Sequence, residues 1–337
     1  MAVSGTFADG VTAANPPAGG TPGGTPRRRR RGRWSAIWSA RWSYLYVAPM
    51  MVLLVGFVIY PIGASLGYTF YQWNGIGDPT DFVGFANFAQ VVNDSIFWGA
   101  VRHTFTYVAI VTPVQLVLAL ALALVLNNRR LRFATFYRTL FFLPVVTSAA
   151  VIGVVFQLMF SNFGQSVNDI LTGFRITNEN IDWLGDPNVA MGIIIVVGIW
   201  HTLGYNLVYF LAGLQTIPEE LYEAARIDGA GRIAQFCYIT VPMLRSVGVV
   251  IVLLALIGGF QVFDLVQVLT NGGPYFATEV VNTYIYHLAF GGFGASAVQP
   301  NVGLASAASF FYGLLLIGFS AVQVVVIRSL ARRRAGQ

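Results

Sequence analysis

"ELYEAARIDGAG", Glu220 to Gly231, sits between two strongly apolar runs, yet it carries charges of both signs, paired alanines and a Gly-Ala-Gly ending. Why so hydrophobic a chain interrupts itself with such a passage depends on what surrounds it. Of the 337 residues, 56% are hydrophobic and only 10% charged, and the mean hydropathy is +0.66. A soluble domain carries about a quarter charged residues, so this is the composition of an integral membrane protein. Every positive side chain is arginine, since lysine is absent, which together with the alanine, glycine and valine usage points to a high-GC bacterial genome. The lone Cys237 excludes an internal disulfide and any multi-cysteine metal site.

Six apolar spans run from Tyr44 to Tyr68, Thr104 to Leu126, Leu140 to Phe160, Val189 to Leu211, Val247 to Leu269 and Leu304 to Ile327. Each has about the 20 residues that a helix needs to cross a hydrocarbon layer roughly 30 Å thick. Lipid offers loose backbone groups no partner, so all six are expected as helices. The fold class is therefore an all-α membrane protein with six transmembrane helices. Residues 1–43 are expected to form an Arg-rich tail, disordered over Met1 to Pro26, where Gly, Pro, Ala and Thr bury too little surface to offset ordering. The late arginines and the long first apolar run do not fit a cleavable signal. Residues 44–330 form the transmembrane domain, with a polar loop at about 214–245, and 331–337 a short second tail.

Arginine placement gives the orientation, because short Arg-rich loops stay on the cytoplasmic side. Arg27 to Arg31, Arg33 and Arg41 precede the first span; Arg129, Arg130, Arg132 and Arg138 follow the second; Arg226, Arg232 and Arg245 follow the fourth; Arg328 and Arg332 to Arg334 end the chain. All of these segments fall on one side. The opposite loops hold Asp78, Asp81, Asp94, Asp169, Glu179, Asp182, Asp186 and Glu279, with only Arg102 and Arg175 as positives. Both termini are expected to be cytoplasmic, and so is the opening passage. The five-arginine run could be a nuclear-import or RNA-binding patch, but a dozen residues before a span it reads as a topology anchor that attracts anionic lipid.

Within the passage, Thr216 and Glu219 have capping-box spacing, Pro218 suits a first turn and Gly229 a left-handed stop. The spacing predicts a helix over Ile217 to Asp228, with Ile217, Leu221, Ala224 and Ala225 along one apolar face and Glu223 paired with Arg226. After Gly229 to Gly231, Phe236, Ile239 and Pro242 predict a second helix leading into the fifth span. Two short helices at the cytoplasmic surface make a knob, which implies a socket on another protein. An amphipathic helix lying on lipid is the alternative, but Glu219, Glu220 and Glu223 suit an anionic bilayer poorly.

"EAARIDGAGRIAQFCYITVPML", Glu223 to Leu244, resembles the EAA loop of the membrane-spanning subunits of bacterial binding-protein-dependent ABC importers. Glu223, Ala224, Ala225, Asp228, Gly229, Ile239 and Pro242 occupy the family's places, while Val241 and Ser246 depart from it. "FVGFANF", "RTLFFLPVV", "WLGDPN", "FLAGLQTIPEELYEAARIDGA", "FQVFDLVQVLTNGGP" and "GLASAASFFYGLL" are similar to the carbohydrate-uptake branch, of the maltose and glycerol-phosphate permease type, across about Tyr44 to Arg334. The resemblance implies a type I importer permease in the bacterial inner membrane. It also implies a second permease subunit, two ATPase subunits and an extracytoplasmic solute-binding protein as partners, with a sugar or sugar-like substrate. It places Glu223, Ala224, Ala225, Asp228 and Gly229 in ATPase coupling through the EAA helix. No cofactor is expected in this chain, ATP and Mg being bound by the ATPase subunits, and no metal site or catalytic group is expected; "NGGP" has no following lysine to make a phosphate loop.

For the substrate path, polar groups within spans face a cavity or a partner. Asp264 is the only acidic residue in the predicted spans, with Gln261 one turn before it, and His201, Thr202 and Tyr205 share a face of the fourth span. The resemblance implies sugar contacts at the middles of the fourth and fifth spans, here His201, Thr202, Tyr205, Ala255, Gly258, Gly259 and Val262. This pattern departs from that of maltose permeases. Gly258 and Gly259 equally suit close helix packing, and Asp264 an outer-interface pair. The outer His103 and His287 are expected in interfacial hydrogen bonds. The competing function is an ion-gradient-driven secondary transporter with Asp264 and His201 as proton carriers. Against it stand the knob and the lack of an inverted repeat.

Overall fold

The computed structural model describes residues 41–128, 131–175, 180–292 and 299–335. The tail through residue 40, with Arg27 to Arg31 and Arg33, lies outside the described residues, as do Arg129, Arg130 and Glu179. The chain divides into two compact units after Tyr60. The first unit holds helix α1 (Arg41–Leu54) and one π turn, Val55–Ile59. Its residues from Leu45 on are almost all exposed, and a helix apolar all round with no core of its own is a membrane span.

Helix α2 (Tyr60–Tyr68) carries the chain into the second unit. There follow a two-stranded antiparallel hairpin, β1 (Tyr71–Gln72) and β2 (Asp81–Phe82), then α3 (Ala86–Asn93) and the long α4 (Ser95–Leu126). Next come α5 (Ala134–Val146), α6 (Ala149–Gly173), α7 (Pro187–Gln215), α8 (Glu219–Ile227), α9 (Arg232–Gln235), a π turn, α10 (Val241–Phe260), α11 (Asp264–Leu269), α12 (Val281–Phe290) and α13 (Val302–Ala335). Six stretches among the described residues are long and apolar enough to span: Leu45–Tyr68, Ser95–Leu126, Ala149–Gly173, Pro187–Gln215, Arg232–Leu269 and Val302–Val325. α13 continues past residue 330, where the sequence predicts a tail.

Two spans differ from the sequence expectation. The third, expected over Leu140 to Phe160, is divided between α5 and α6, because Thr147 and Ser148 are extended. Pro144 lacks the N–H that would hold the last turn of α5, and Ser148 takes the non-helical position before α6. The fifth, expected as one helix over Val247 to Leu269, breaks at Gln261–Phe263 after the Gly258–Gly259 pair. Asp264 is therefore not mid-helix; it stands, exposed, in the first turn of α11.

α4 threads three apolar clusters and so fixes where the ends of the unit lie. Toward one end, its Phe97 and Val101 pack with Val281 and Tyr284 of α12 and Leu304 and Tyr312 of α13. In the middle, Tyr107 and Val111 meet Ile194 and Val197 of α7 and Leu265 and Val266 of α11. Toward the other end, Ala119, Ala123 and Leu126 meet Leu207 and Leu214 of α7 and Leu244 of α10. Lipid tails are as apolar as these side chains, so close packing holds such helices together. Small residues set the approach: Gly303 of α13 lies so near β1 that a Cβ would overlap the Tyr71 carbonyl oxygen, and Gly198 of α7 faces the Tyr107 hydroxyl in the same way. The ends of α4, α7 and α10 that flank the predicted cytoplasmic arginines share one cluster. There Arg138 Nη2 donates to the Leu126 carbonyl at 2.7 Å and closes the end of α4.

Candidate functional site

The knob grows from the end of α7. Thr216 does not cap α8 as expected: its Oγ1 donates back to Gly213 O at 2.7 Å, and Pro218 takes the cap position without a side-chain bond. Thr216 follows directly on α7, so the carbonyl one turn back is nearer than any amide ahead. α8 is correspondingly shorter, Glu219–Ile227, with Glu219 and Glu220 in its first turn and Arg226 in its last, the order that the helix dipole favours. Gly229 has φ +80° and donates its N–H to Arg226 O, and Ala230 N reaches Ala225 O at 2.8 Å, so the left-handed stop is where the sequence puts it. α9 then runs through a π turn, Phe236–Thr240, into α10.

What holds the knob is a few inward contacts. Tyr222 and Ile239 pack on the cluster of Leu214, Ile217 and Leu244, and the Tyr222 hydroxyl lies 2.9 Å from Thr240 Oγ1. Gln235 Nε2 closes the turn on Ala230 O at 2.8 Å. The expected apolar face is corrected here. Ile217, before the helix, is buried, whereas Leu221 and Ala224 are exposed and Ala225 half-buried. Ile227, Ile233 and Tyr238 are also exposed, by 86%, 81% and 82%. Tyr222 takes the inward place because its ring reaches the cluster while its hydroxyl finds Thr240. Glu223, Ala224, Asp228 and Gly229 are exposed beside these apolar side chains, and Glu223 meets Arg226 at 3.9 Å.

The residues predicted along the path do not form one constellation. His201 Nε2 lies 3.2 Å from Thr147 O at the α5–α6 break. The next residue, Thr202, turns to α4, where its Oγ1 bonds Gln115 Oε1, and Gly198 O accepts from the same hydroxyl at 2.7 Å. Tyr205 is exposed, edge-on to Phe142 at 6.4 Å. In α10, Gly259 is buried where a Cβ would come within 3.2 Å of Val108, which is the packing role; Gly258 faces open space. Gln261 is exposed at the break. Asn282 of α12 braces the loosened backbone, its Nδ2 donating to Phe260 O at 3.1 Å and Val262 O at 3.0 Å, and Tyr312 OH donates to Phe260 O at 3.2 Å.

Sequence reasoning missed the role of Glu279, which reads only as an outer-loop charge. Its side chain is 2% exposed, and Oε1 lies 3.0 Å from His287 Nδ1. The other ring nitrogen is 3.0 Å from Asn271 Oδ1, and His103 Nδ1 donates to the Glu279 carbonyl at 3.0 Å. Both histidines are expected in interfacial hydrogen bonds, and they meet at one glutamate. Nearby, Tyr284 OH donates to Asp94 Oδ2 at 2.5 Å, and burial with that carboxylate pushes its pKa well above the usual phenol value. A glutamate and a histidine eight residues apart, with "NGGP" before them, were the available signal. Among the described residues no group of three or more His, Cys, Asp or Glu is placed to hold a metal.

Among the described residues, six membrane-length spans, irregular backbone inside them and a charged two-helix knob at one end make a multi-pass membrane protein. Residues 115–335 match the family model "Binding-protein-dependent transport system inner membrane component". The chain is 36% identical over 288 residues to the lactose transport system permease protein LacF of Rhizobium radiobacter, covering 85% of this chain and 94% of that one. It is 35% identical over 282 residues to the probable ABC transporter permease protein YurN of Bacillus subtilis, covering 83% and 94%. It shares the fold of a chain in the crystal structure of a bacterial alginate ABC transporter in complex with alginate pentasaccharide-bound periplasmic protein. That match has a TM-score of 0.68 at 23% identity and covers 85% of this chain and 93% of the other. The chain belongs to the binding-protein-dependent transport system inner membrane components. It is a multi-pass inner-membrane permease subunit of an ABC importer of the carbohydrate-uptake type, and the gradient-driven alternative falls away. It is not an enzyme; ATP is bound by separate ATPase subunits.

Proposed function

We propose that this chain forms one half of a sugar path beside a second permease subunit, and that α8 with α9 is the piece which one of two ATPase subunits grips from the cytoplasm. A solute-binding protein delivers a sugar of the disaccharide to oligosaccharide class at the opposite end. The observation that carries the reading is the knob: two short helices and a π turn pinned to the bundle by Tyr222 and Ile239, with Leu221, Ala224, Ile227 and Tyr238 left exposed beside Glu223 and Asp228. Exposed apolar side chains rimmed by charge mark a protein or membrane contact, and the acidic Glu219, Glu220 and Glu223 favour protein over an anionic bilayer. The lactose relative and the alginate-bound structural neighbour support the substrate class. Residues 1–43 and the last few residues act as cytoplasmic flanks of a permease domain over 44–330, with 214–245 as its coupling loop.

In the path, Tyr205, Gly258, Gln261 and Asp264 are the predicted positions open to solute, while Thr202 and Gly259 hold α4, α7 and α10 together and His201 ties α7 to the α5–α6 break. The test is uptake by the assembled importer in liposomes. Glu223→Ala should lower ATP-dependent uptake at least about tenfold, a coupling loss of about 1.4 kcal/mol, and weaken co-purification of the ATPase subunits while the permease stays folded. Uptake that follows an imposed proton gradient with no ATPase present would overturn the proposal.

A further inference from the structure

The break in the fifth span is where backbone regularity is lost inside a membrane-length stretch. Non-helical backbone at membrane depth survives only when buried in protein or lining a water-filled cavity. Here the break is braced by protein on one side and borders a cleft on the other. Asn282 and Tyr312 satisfy the loosened carbonyls from the protein side, while Gln261 borders a cleft of about 380 Å³. That cleft is lined by Gln261 and Phe263 of the break and by Asn282, Ile285, Tyr286 and Phe290 of α12.

Its walls have a particular chemistry. Asn282, Tyr286 and Phe290 recur every four residues, so they lie along one face of α12. The rings form a row: Phe263 to Tyr286 is 5.3 Å between centroids and Tyr286 to Phe290 is 5.1 Å. Tyr286 and Phe290 are exposed. The Asn282 amide nitrogen is committed to the break, which leaves its oxygen as an acceptor, and Gln261 offers both a donor and an acceptor. A pyranose ring presents an apolar C–H face on one side and hydroxyls at its edge. Aromatic rings take the first and planar amides the second. Aromatic residues alone would fit the bilayer interface; the two amides beside them supply the hydrogen-bonding groups that a sugar edge needs.

We infer that Phe263, Tyr286 and Phe290, with Gln261 and Asn282, form an outer subsite that receives one sugar ring as solute leaves the binding protein and before it reaches the middle of the path. This rests on the carbohydrate reading above and adds a place and a chemistry to it. The subsite acts on delivery and does not touch the knob.

The experiment uses the complete importer with its binding protein in liposomes, and lactose, cellobiose, arabinotriose and maltotriose as probes. For whichever probe the wild type accumulates, Tyr286→Leu and Phe290→Leu should each cut sugar accumulated per ATP hydrolysed about fivefold, the scale of one aromatic contact. ATPase stimulation by the loaded binding protein should remain, and Tyr286→Trp should restore accumulation. An unchanged ratio in both leucine variants, or failure of the tryptophan to rescue, overturns the subsite and leaves the transport reading intact. Accumulation of none of the four sugars by the wild type overturns the carbohydrate reading itself. A second readout separates sugar from lipid: the indole added by Phe290→Trp should be quenched by aqueous acrylamide. Quenching by brominated lipid instead overturns the inference.

Discussion

The two ends of the second unit solve opposite problems. At the knob, charges lie outside: Glu219, Glu220, Glu223, Arg226 and Asp228 are all exposed, and the ion pair between Glu223 and Arg226 spans 3.9 Å in solvent. At the other end Asp78, Asp81, Arg102 and Asp169 are exposed too, but two carboxylates are turned inward, Glu279 buried against His287 and the half-buried Asp94 accepting from Tyr284. Exposed charge suits an end that another protein must grip and release, because each contact costs little to form or break. Buried charge suits an end that must keep its shape unaided, since a partner once lost leaves a desolvated group behind. Substitutions at the two ends should therefore separate function from stability in opposite senses.

The largest contrast is expected between two glutamates. Glu279→Ala leaves His287 Nδ1 without its buried partner and should destabilise the permease by about 2 to 3 kcal/mol; Glu223→Ala should leave stability within about 0.5 kcal/mol although it uncouples uptake from ATP. Thermal unfolding in detergent micelles measures both, and equal losses would erase the distinction. Next in size is Tyr284→Phe, which gives up the bond to Asp94 at about 1 to 2 kcal/mol. The same residue supplies a pH test. Its folded pKa is raised, so its stabilisation is complete below the unfolded tyrosine value of about 10 and is lost as pH rises beyond it through the folded value. Wild-type stability should fall from about pH 10 upward, and Tyr284→Phe should lack that share of the fall.

Within the knob, Gly229→Ala puts a Cβ at φ +80° and should cost about 1 kcal/mol of local order. Gly231→Ala, at φ −70° in open space, should be neutral; amide exchange across α8 distinguishes the two. Smallest is Arg226→Ala, expected to change stability by less than about 0.5 kcal/mol because its pair with Glu223 is solvated. A larger effect would mean that the knob is braced more like the buried end.

Much of this is legible in the sequence, and the reason is local. Six spans follow from hydropathy, and a left-handed stop at Gly229 from residue type. The errors have a common source. By spacing, Thr216 looks forward into α8, yet it bonds back to Gly213; by periodicity Leu221 faces inward, yet Tyr222 takes that place. In both cases several faces or partners were chemically available, and only packing chose among them. Likewise His201, Thr202 and Tyr205 share a helical spacing, yet Thr202 belongs to Gln115 on α4 and His201 to the backbone of Thr147.

The sequence by itself determined that the chain spans a membrane, where its arginines lie and that it carries a polar two-helix knob, because each depends on the composition of a short segment. Only the tertiary structure decided that Glu279 meets His287 and His103, that Asn282 braces the break at Gln261 and that Tyr286 and Phe290 line up outside it. A span in lipid is apolar on every side, so its hydropathy carries no mark of which face meets protein, and small residues mark that face only in part. That choice is made by close packing between residues far apart in the chain.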